Sequence, residues 1–422
     1  RKPYFYSMRP SRRVVVTGLG AITPLGNSVP EFWSNVVAGK SGVGDITLFD
    51  ASHLPTRFAA EVRGFDAPAL MGKKEARKAD RFAQFAIVAA KQALTDSGLA
   101  ISDANRDEIG VVMGSGIGGI ITIENQHKVM LDQGAGRLSP FFIPMLISNI
   151  APGIISMNMN VRGPTYTTVS ACASSNNAIG EAYRAVQLGE AEAMICGGSE
   201  APISPLAVAG FCAMRALSTR NDSPATASRP FDKGRDGFVM AEGGGAMMLE
   251  ELEHARTRGA RIYAEMVGYG KSSDAFHMVQ PDPDARGVTL AMQRALRDAG
   301  LEPADVDYIN AHATSTDLGD IAETLAIHRV FGERAKTLPV SSNKSMFGHA
   351  LGAAGALEGI CTVLTIHDGV IPPTINYHEV DPQCDLDCVP NVARKADVNI
   401  AMSNSFGFGG HNAVLIFRKF AE

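Results

Sequence analysis

Apolar strands and amphipathic helices alternate along the first half of the chain, and the strands end in glycine or polar residues. The helix predicted over residues 76–100 has apolar positions at helical spacing and closes on Gly98. Another helix runs from Gly180 to a stop at Gly189. Recurring strand–helix–strand order is typical of a parallel sheet covered on both faces. The pattern therefore predicts an α/β fold, with strands over residues 13–20, 109–113, 165–169 and 193–198.

Residues 214–245 interrupt this alternation, because Ser, Thr, Asn, Asp, Pro and Gly dominate them. A long polar stretch inside a compact protein is typical of an ordered functional loop. We expect it to lie over a site rather than to link two domains. Apolar strand character returns over residues 242–251, and the charged residues 253–258 follow as a connection.

The second half resembles the first. RIYAEMVGYG at Arg261–Gly270 matches RVVVTGLG at Arg13–Gly20, since each has a basic residue, a strand and then Gly-x-Gly. A strand over residues 337–342 and a small-residue helix over 349–369 mirror the strand and helix around Cys172. We predict two weakly similar α/β halves, residues 8–256 and 257–422.

Composition narrows the class of protein. A chain of 422 residues with 45% hydrophobic and 20% charged side chains can bury a deep core. Its net charge of −5 argues against a general nucleic-acid-binding protein. It contains no apolar run of about 18 residues, so no membrane-spanning helix is predicted.

The N-terminus and the cysteines point to an ordinary intracellular protein. Residues 1–7 lack the apolar region of a signal peptide, and we interpret them as a remnant that precedes a native start at Met8. The six cysteines are scattered, which indicates a reducing compartment rather than a disulfide framework. Cys384 and Cys388 are a close pair without a partner pair or histidine cluster, so no metal site is predicted.

Cys172 lies between the end of a predicted strand and the start of a predicted helix. Unpaired backbone N–H groups and the positive end of the helix favour a thiolate at such a position. The alternative is that Cys172 is a small buried apolar residue, as many cysteines are.

Three polar segments in the second half also lie at strand or helix ends: residues 310–316, 344–349 and 404–410. In open α/β sheets, ligands bind beyond the carboxyl ends of the strands. His312 and His349 taken singly are typical of structural histidines. Together with Cys172 at a helix start they predict an active site in which all three meet.

Two other motifs have competing interpretations. Gly114-x-Gly-x-x-Gly119 is spelled like a dinucleotide-binding fingerprint, but the strand and acidic residue that should follow are missing, so no nucleotide cofactor is predicted. Residues 71–81 carry five basic and two acidic side chains. On a helix this is either a solvated face or a docking surface for an acidic partner.

Taken together, the motifs resemble the condensing enzymes of the thiolase superfamily, and among them the type II β-ketoacyl-acyl carrier protein synthases. The resemblance covers residues 12–419. It rests on VVVTGLGAITPLG, the ACAS turn at Cys172, ALSTRND, RPFDKGRDGFVMAEG, NAHATST, SSNKSMFGHALGAAGA, CDLDCVPN and NSFGFGGHNAVL.

The resemblance implies a thiolase-like duplicated fold of five layers, αβαβα, in a homodimer without a cofactor. It implies that Cys172 accepts an acyl group from an acyl carrier protein. Malonyl-carrier protein then loses carbon dioxide, and the carbanion attacks the acyl thioester, which extends a fatty acyl chain by two carbons. Two neutral imidazoles suit this reaction, because they can donate hydrogen bonds to the malonyl thioester oxygen as its charge builds.

The resemblance also assigns residues. It implies catalytic roles for Cys172, His312, His349 and Lys344, with Lys344 orienting the site electrostatically. It implies an oxyanion hole from the backbone N–H groups of Cys172 and Phe408, and pantetheine binding by Thr314 and Thr316. It places an acyl tunnel and its gate at Ile117, Phe406 and Phe408. It also implies that the acyl carrier protein docks on a set of basic residues: Lys73, Lys74, Arg77, Lys78, Arg137 and Arg215. The chain departs from the family pattern at Ser170, Ala313, Asn343, Phe347 and Ala350, which bears on the pocket shape.

Several alternatives are open at this point. A polyketide ketosynthase shares every catalytic residue, whereas a tunnel-shaping partner subunit lacks the nucleophile that Cys172 supplies. Degradative thiolases use a second cysteine near the C-terminal glycines, and residues 404–412 contain none. The resemblance therefore favours decarboxylating elongation, in bacterial-type cytoplasm or in an organelle.

Overall fold

The computed structural model of the chain describes residues 12–421, so the predicted remnant and start at residues 1–8 lie outside the described residues. A mixed ten-stranded sheet dominates the fold, beside two small two-stranded sheets. The strands are β1 Val14–Ile22, β2 Gly44–Asp45, β3 Phe58–Ala59, β4 Ile109–Gly114, β5 Thr165–Thr168, β6 Ala193–Glu200, β7 Gly243–Glu251, β8 Ala264–Ser273, β9 Tyr308–Asn310, β10 Val340–Ser341, β11 Val370–Ile371, β12 Arg394–Lys395, β13 Ile400–Gly407 and β14 His411–Arg418.

Helices pack on the sheet, and short 3₁₀ turns join several elements. The helices are α1 Val29–Val37, α2 Ala67–Met71, α3 Lys73–Ala76, α4 Arg81–Ser97, α5 Ile120–Gln133, α6 Phe142–Leu146, α7 Ile150–Met159, α8 Ser174–Leu188, α9 Pro205–Ala213, α10 Leu252–Thr257, α11 Arg286–Ala299, α12 Asp317–Phe331, α13 Lys344–Phe347 and α14 Ala354–Asp368. None of the helices between residues 12 and 421 is long and apolar enough to cross a membrane.

The two halves of the sheet have the same topology. Their strand orders are β5-β4-β6-β7-β1 and β10-β9-β13-β14-β8, and in each half three strands are parallel while the last two pairings are antiparallel. The expected purely parallel sheet is therefore wrong. In the second half the reason is plain, because a tight turn at Phe408–Gly410 joins β13 to β14 and forces them to run in opposite directions.

Five layers result from this duplication. Helices α8 and α14 pack against each other and against strands of both half-sheets, while α4 and α7 cover the outer face of the first half and α11 and α12 that of the second. Three large apolar clusters fill the spaces between these layers. The predicted thiolase-like αβαβα architecture is confirmed.

The repeated Gly-x-Gly of the sequence has a structural cause in each half. A Cβ at Gly18 or Gly20 in β1 would collide with backbone carbonyls of α4, and one at Gly268 or Gly270 with those of α11. The residue between the glycines is held in the same way in both halves. Asp96 of α4 accepts the Leu19 N–H at 2.9 Å, and Asp298 of α11 accepts the Tyr269 N–H at 2.9 Å.

Some element predictions differ from the structure. The charged connection at 253–258 is largely helix α10, which spans the predicted division between residues 256 and 257, and that division stays a prediction. The small-residue helix predicted from His349 begins at Ala354. His349 is instead held extended, because its N–H donates to Val239 and its carbonyl accepts from Ala241, two residues near the end of the predicted polar loop.

Candidate active site

Cys172 lies in a sharp turn between β5 and α8, as its position in the sequence predicts. Ala171 before it has a positive φ of 50°, and Gly407 packs so closely that a Cβ there would lie 3.0 Å from the Cys172 nitrogen. The side chain is buried, with 7% exposure. Burial raises the pKa of the Cys172 thiol to about 12, although Lys344 and the Phe408 N–H oppose the shift. Desolvation therefore opposes the thiolate that the helix start was expected to favour.

His312 and His349 meet at this sulfur from the second half of the chain. The Nε2 atom of His349 is 3.1 Å from the Cys172 Sγ, and the two imidazole rings lie edge to face with centroids 5.3 Å apart. Burial and the positive charge of Lys344 hold the pKa of both histidines well below the ordinary value of 6.5. Both rings are consequently neutral at physiological pH, the state in which they can donate one hydrogen bond each.

Lys344 is fully buried behind the two histidines and forms an ion pair with the equally buried Glu358. Burial raises the pKa of Glu358, although the ammonium group of Lys344 opposes this rise. His312 and His349 line a cavity, and Lys344 is not among the described residues that line it. Its position therefore agrees with a charge that acts on the site rather than with a base that touches substrate.

The turn between β13 and β14 closes the other side of the sulfur. The backbone N–H groups of Phe408 and of Cys172 itself point at Sγ and lower the pKa of the thiol. Gly409 in this turn has a φ of 81°, which favours glycine. Two backbone donors beside the sulfur can donate to the oxygen of an acyl group bound there, as the predicted oxyanion hole requires.

A cavity of about 480 Å³ brings most of the predicted site residues together. Apolar side chains around it, such as Phe211, Phe238 and Leu351, suit a hydrocarbon chain. The predicted residues that line it are Ile117, Cys172, Arg215, His312, Thr314, Thr316, His349, Phe406 and Phe408.

Thr314 and Thr316 lie side by side on the cavity wall, with their hydroxyl oxygens 3.0 Å apart. Ser315 between them has a φ of 70°, and its backbone carbonyl accepts the Gly237 N–H of the polar loop. Arg235 of the same loop donates to the Thr316 carbonyl at 3.2 Å. The loop predicted over residues 214–245 thus braces the threonines from outside.

Buried carboxylates that sequence reasoning missed support the site. Glu323 accepts the backbone N–H groups of His312 and Ala313 at 3.0 and 2.6 Å, and the Asn404 amide at 2.9 Å. Glu200 accepts the N–H groups of Gly116 and Ile117 in the glycine loop. Those amides already donate to a carboxylate, so they are not free to bind a phosphate.

The basic segment is not one continuous helix. Gly72, with a φ of 89°, separates α2 from α3, and Asp80 caps a new helix by accepting the Phe82 N–H. Arg77 and Lys78 therefore follow the single turn α3, which corrects the prediction of a shared helical face. Lys78 packs over the Phe141 ring at 5.4 Å. The predicted docking residues that are exposed are Lys73, Lys74, Arg77, Arg137 and Arg215.

The departures from the family pattern do not themselves line the cavity. Phe347 and Ala350 are buried in the central apolar cluster, where Phe347 packs against Phe32 with ring centroids 5.5 Å apart. Ala313 belongs to the core of the second half. None of these departures, including Ser170 and Asn343, is among the described cavity-lining residues.

Comparison with known proteins agrees with this geometry. Residues 11–255 match the family described as the N-terminal domain of beta-ketoacyl synthase, and residues 263–378 match its C-terminal domain. The chain belongs to the β-ketoacyl synthase family. It is a condensing enzyme, an acyltransferase, in agreement with the resemblance found in its motifs.

Similar β-ketoacyl synthases cover almost the whole chain. The 3-oxoacyl-[acyl-carrier-protein] synthase 2 of Synechocystis sp. is 54% identical over 97% of this chain and 98% of its own. A β-ketoacyl synthase from Burkholderia phymatum has a TM-score of 0.90 at 41% identity, covering 97% of this chain and 100% of its own. A type II PKS ketosynthase solved in complex with its acyl-carrier protein has a TM-score of 0.90 at 35% identity, and the match covers 98% of this chain and 100% of the ketosynthase chain.

Proposed function

We propose that this enzyme works as a 3-oxoacyl-[acyl-carrier-protein] synthase in which Cys172 holds the acyl chain and the two histidines generate the carbanion. The observation that supports this division most directly is the 3.1 Å separation of His349 Nε2 from Cys172 Sγ inside an apolar cavity that His312 also lines. Curated relatives at 53–54% identity are named 3-oxoacyl-[acyl-carrier-protein] synthase 2. The polyketide alternative is less favoured, since the similar type II PKS ketosynthase is 35% identical.

Acyl transfer comes first. The Cys172 thiol attacks the carrier thioester, its proton passes to the departing carrier thiol, and a new thioester forms on Sγ. We assign His349 as the relay for this proton, because its Nε2 is neutral and next to the sulfur. The N–H groups of Cys172 and Phe408 stabilise the oxyanion of the tetrahedral intermediate.

Decarboxylation comes second. The malonyl thioester oxygen gains charge as carbon dioxide leaves, and His312 and His349 each donate a hydrogen bond to it. The carbanion then attacks the acyl carbonyl, the bond from that carbon to the Cys172 Sγ breaks, and the released thiolate takes up a proton from water. Thr314 and Thr316 are assigned to the pantetheine arm, while Ile117, Phe406 and Phe408 are assigned to the acyl tunnel and its gate, because all five line the cavity.

The acyl carrier protein and a second copy of the chain are the partners proposed. The carrier is expected to contact the exposed basic residues Lys73, Lys74, Arg77, Arg137 and Arg215, with Lys78 beside them, because their positive charge suits an acidic partner. Homodimerisation is proposed through the edge strand β5.

We also propose that the chain divides into two halves, residues 8–256 and 257–422. We propose a bacterial-type cytoplasmic location rather than an organelle, since the similar curated relatives are bacterial.

Single substitutions separate the two steps. Cys172→Ala is expected to abolish condensation while malonyl-carrier protein is still decarboxylated, since the histidines remain. His312→Ala or His349→Ala is expected to slow release of carbon dioxide by about 10²-fold, the scale of a lost oxyanion donor. Carbon dioxide release and product formation are measured on each variant. Condensation by Cys172→Ala, or unchanged carbon dioxide release by both histidine variants, contradicts the proposal.

A further inference from the structure

Glu200 is a fully buried carboxylate at the end of β6. Its Oε1 accepts the Ser115 hydroxyl at 2.9 Å and the Ile117 N–H at 3.1 Å. Its Oε2 accepts the Gly116 N–H at 2.6 Å and the Gly352 N–H at 3.0 Å. No cationic side chain between residues 12 and 421 forms an ion pair with it, so four uncharged donors stabilise this carboxylate.

The hydrogen bonds around Glu200 fit its ionised form. Three of the four partners are backbone N–H groups, which can only donate. The fourth, the Ser115 hydroxyl, accepts the Gly118 N–H at 3.1 Å and so directs its own proton to Glu200. A protonated carboxyl group would put a hydrogen against one of these donors.

Two segments that line the cavity meet at this carboxylate. Ile117 belongs to the glycine loop, and Leu351, which has a φ of 47°, precedes Gly352 in the turn after His349. A Cβ on Gly116 would lie 2.9 Å from Glu200 Oε2, and one on Gly352 would collide with the same oxygen. Glycine at both positions lets the carboxylate draw the two loops together.

We propose that Glu200 is a positioning residue that sets the distance between the Ile117 and Leu351 walls of the acyl cavity and so tunes the acyl lengths that Cys172 accepts. Glu200 accepts hydrogen bonds from the backbone of both loops, so it positions Ile117 and Leu351 through the backbone rather than through their side chains. The proposal rests on the proposed function of Cys172 as the acyl acceptor.

The charge of Glu200 adds a second effect that a purely structural residue would not have. Glu200 raises the pKa of the Cys172 thiol, whereas Lys344 and the backbone N–H groups of Phe408 and Cys172 lower it. The neutral His312 and His349 are the remaining titratable groups beside the sulfur among the described residues. Removing the Glu200 charge should therefore make the thiol more acidic.

Glu200→Gln tests the proposal because it keeps the size of the side chain, removes the charge and turns one acceptor into a donor that faces a backbone N–H. We expect the ratio of dodecanoyl to butanoyl transfer onto Cys172 to fall about tenfold. We also expect the pH midpoint of Cys172 alkylation by iodoacetamide to fall by about one unit. Peptide mass spectrometry gives both rates.

Glu265→Gln is the matched control, since Glu265 is also a buried carboxylate but pairs with Arg13 and Arg418 outside the cavity lining. Ser115→Ala is the second variant, because it removes one donor and keeps the charge. It should lower the dodecanoyl ratio less and leave the alkylation midpoint unchanged.

A folded Glu200→Gln with the wild-type ratio and midpoint overturns the inference. If that variant does not fold, a wild-type ratio in Ser115→Ala overturns it. Failure of the wild-type chain to become acylated at Cys172 refutes instead the proposed function on which the inference rests.

Discussion

Cys172 and His349 form a neutral pair at rest, because burial disfavours the charged form of both side chains. The buried Lys344 shifts both groups in the same sense, since its positive charge lowers the pKa of the thiol and of the imidazole. The ion pair with Glu358 lets this charge persist inside the core. Lys344 therefore biases the sulfur toward thiolate while it keeps the histidines uncharged.

The pH profile of decarboxylation follows from these shifts. A histidine whose pKa is lowered stays neutral as pH falls, so we expect carbon dioxide release by Cys172→Ala to stay flat from about pH 8 down to about pH 6. The rate at saturating malonyl-carrier protein is the measurement. A decline with its midpoint at the ordinary histidine pKa of 6.5 would mean that neither burial nor Lys344 acts as described.

Residues with a local sequence signal could be identified from the sequence, and buried carboxylates whose partners come from other segments could not. Cys172, His312 and His349 each follow a strand or precede a helix, which is a local signal. Glu200 ends a strand, and its partners lie between 83 and 152 residues away. Glu358 lies within an apolar helix, and its partner Lys344 lies 14 residues away on another helix. Only the folded chain shows that such a carboxylate is buried among donors.

At the scale of elements, α3 and the turn after it carry the basic segment. Local signals for the break were present, since Gly72 and Asp80 are typical of a helix end and a helix start. The predicted face over residues 73–78 was wrong because these signals outweighed the helical spacing of the charges. The exposed Lys74 and Arg77 still lie within four residues of each other.

Charge reversal tests the docking surface. We expect Lys74→Glu with Arg77→Glu to weaken binding of the acyl carrier protein about tenfold or more at low salt, and less at high salt where surface charges are screened. Binding measured across a salt series gives the result. Lys395→Glu, an exposed lysine on β12, is the control. Equal affinity of the double variant and the wild type at every salt concentration would show that the segment is a solvated surface and not a docking surface.

At the scale of the whole molecule, the two half-sheets share one topology but differ at their edges. Strand β5 ends the first half-sheet with an unpaired edge, and the exposed apolar side chains around it include Tyr166, Val169, Ile143 and Met157. An open strand edge beside exposed apolar residues favours pairing with another chain. The sequence predicted this strand but not its position at the edge, which depends on long-range strand order.

Dimerisation through β5 should fail when a charge is placed there. Val169→Asp is expected to convert the dimer to a monomer, since an unpaired carboxylate at the centre of an apolar contact is costly to bury. Leu188→Asp is the control, because Leu188 is 62% exposed and Val169 60%. Mass by light scattering distinguishes the states. A dimer that persists in Val169→Asp at low concentration would rule out the β5 contact.

The acyl thioester on Cys172 is the central claim and can be measured directly. Wild-type protein is mixed with an acyl carrier protein loaded with a fatty acyl chain, and the peptide that contains Cys172 is weighed by mass spectrometry, with Cys172→Ala and the buried Cys196 and Cys361 as internal references. We predict that the mass of one acyl group appears on Cys172 alone and disappears when malonyl-carrier protein is added. An unmodified Cys172, or acyl mass on another cysteine, would contradict the account.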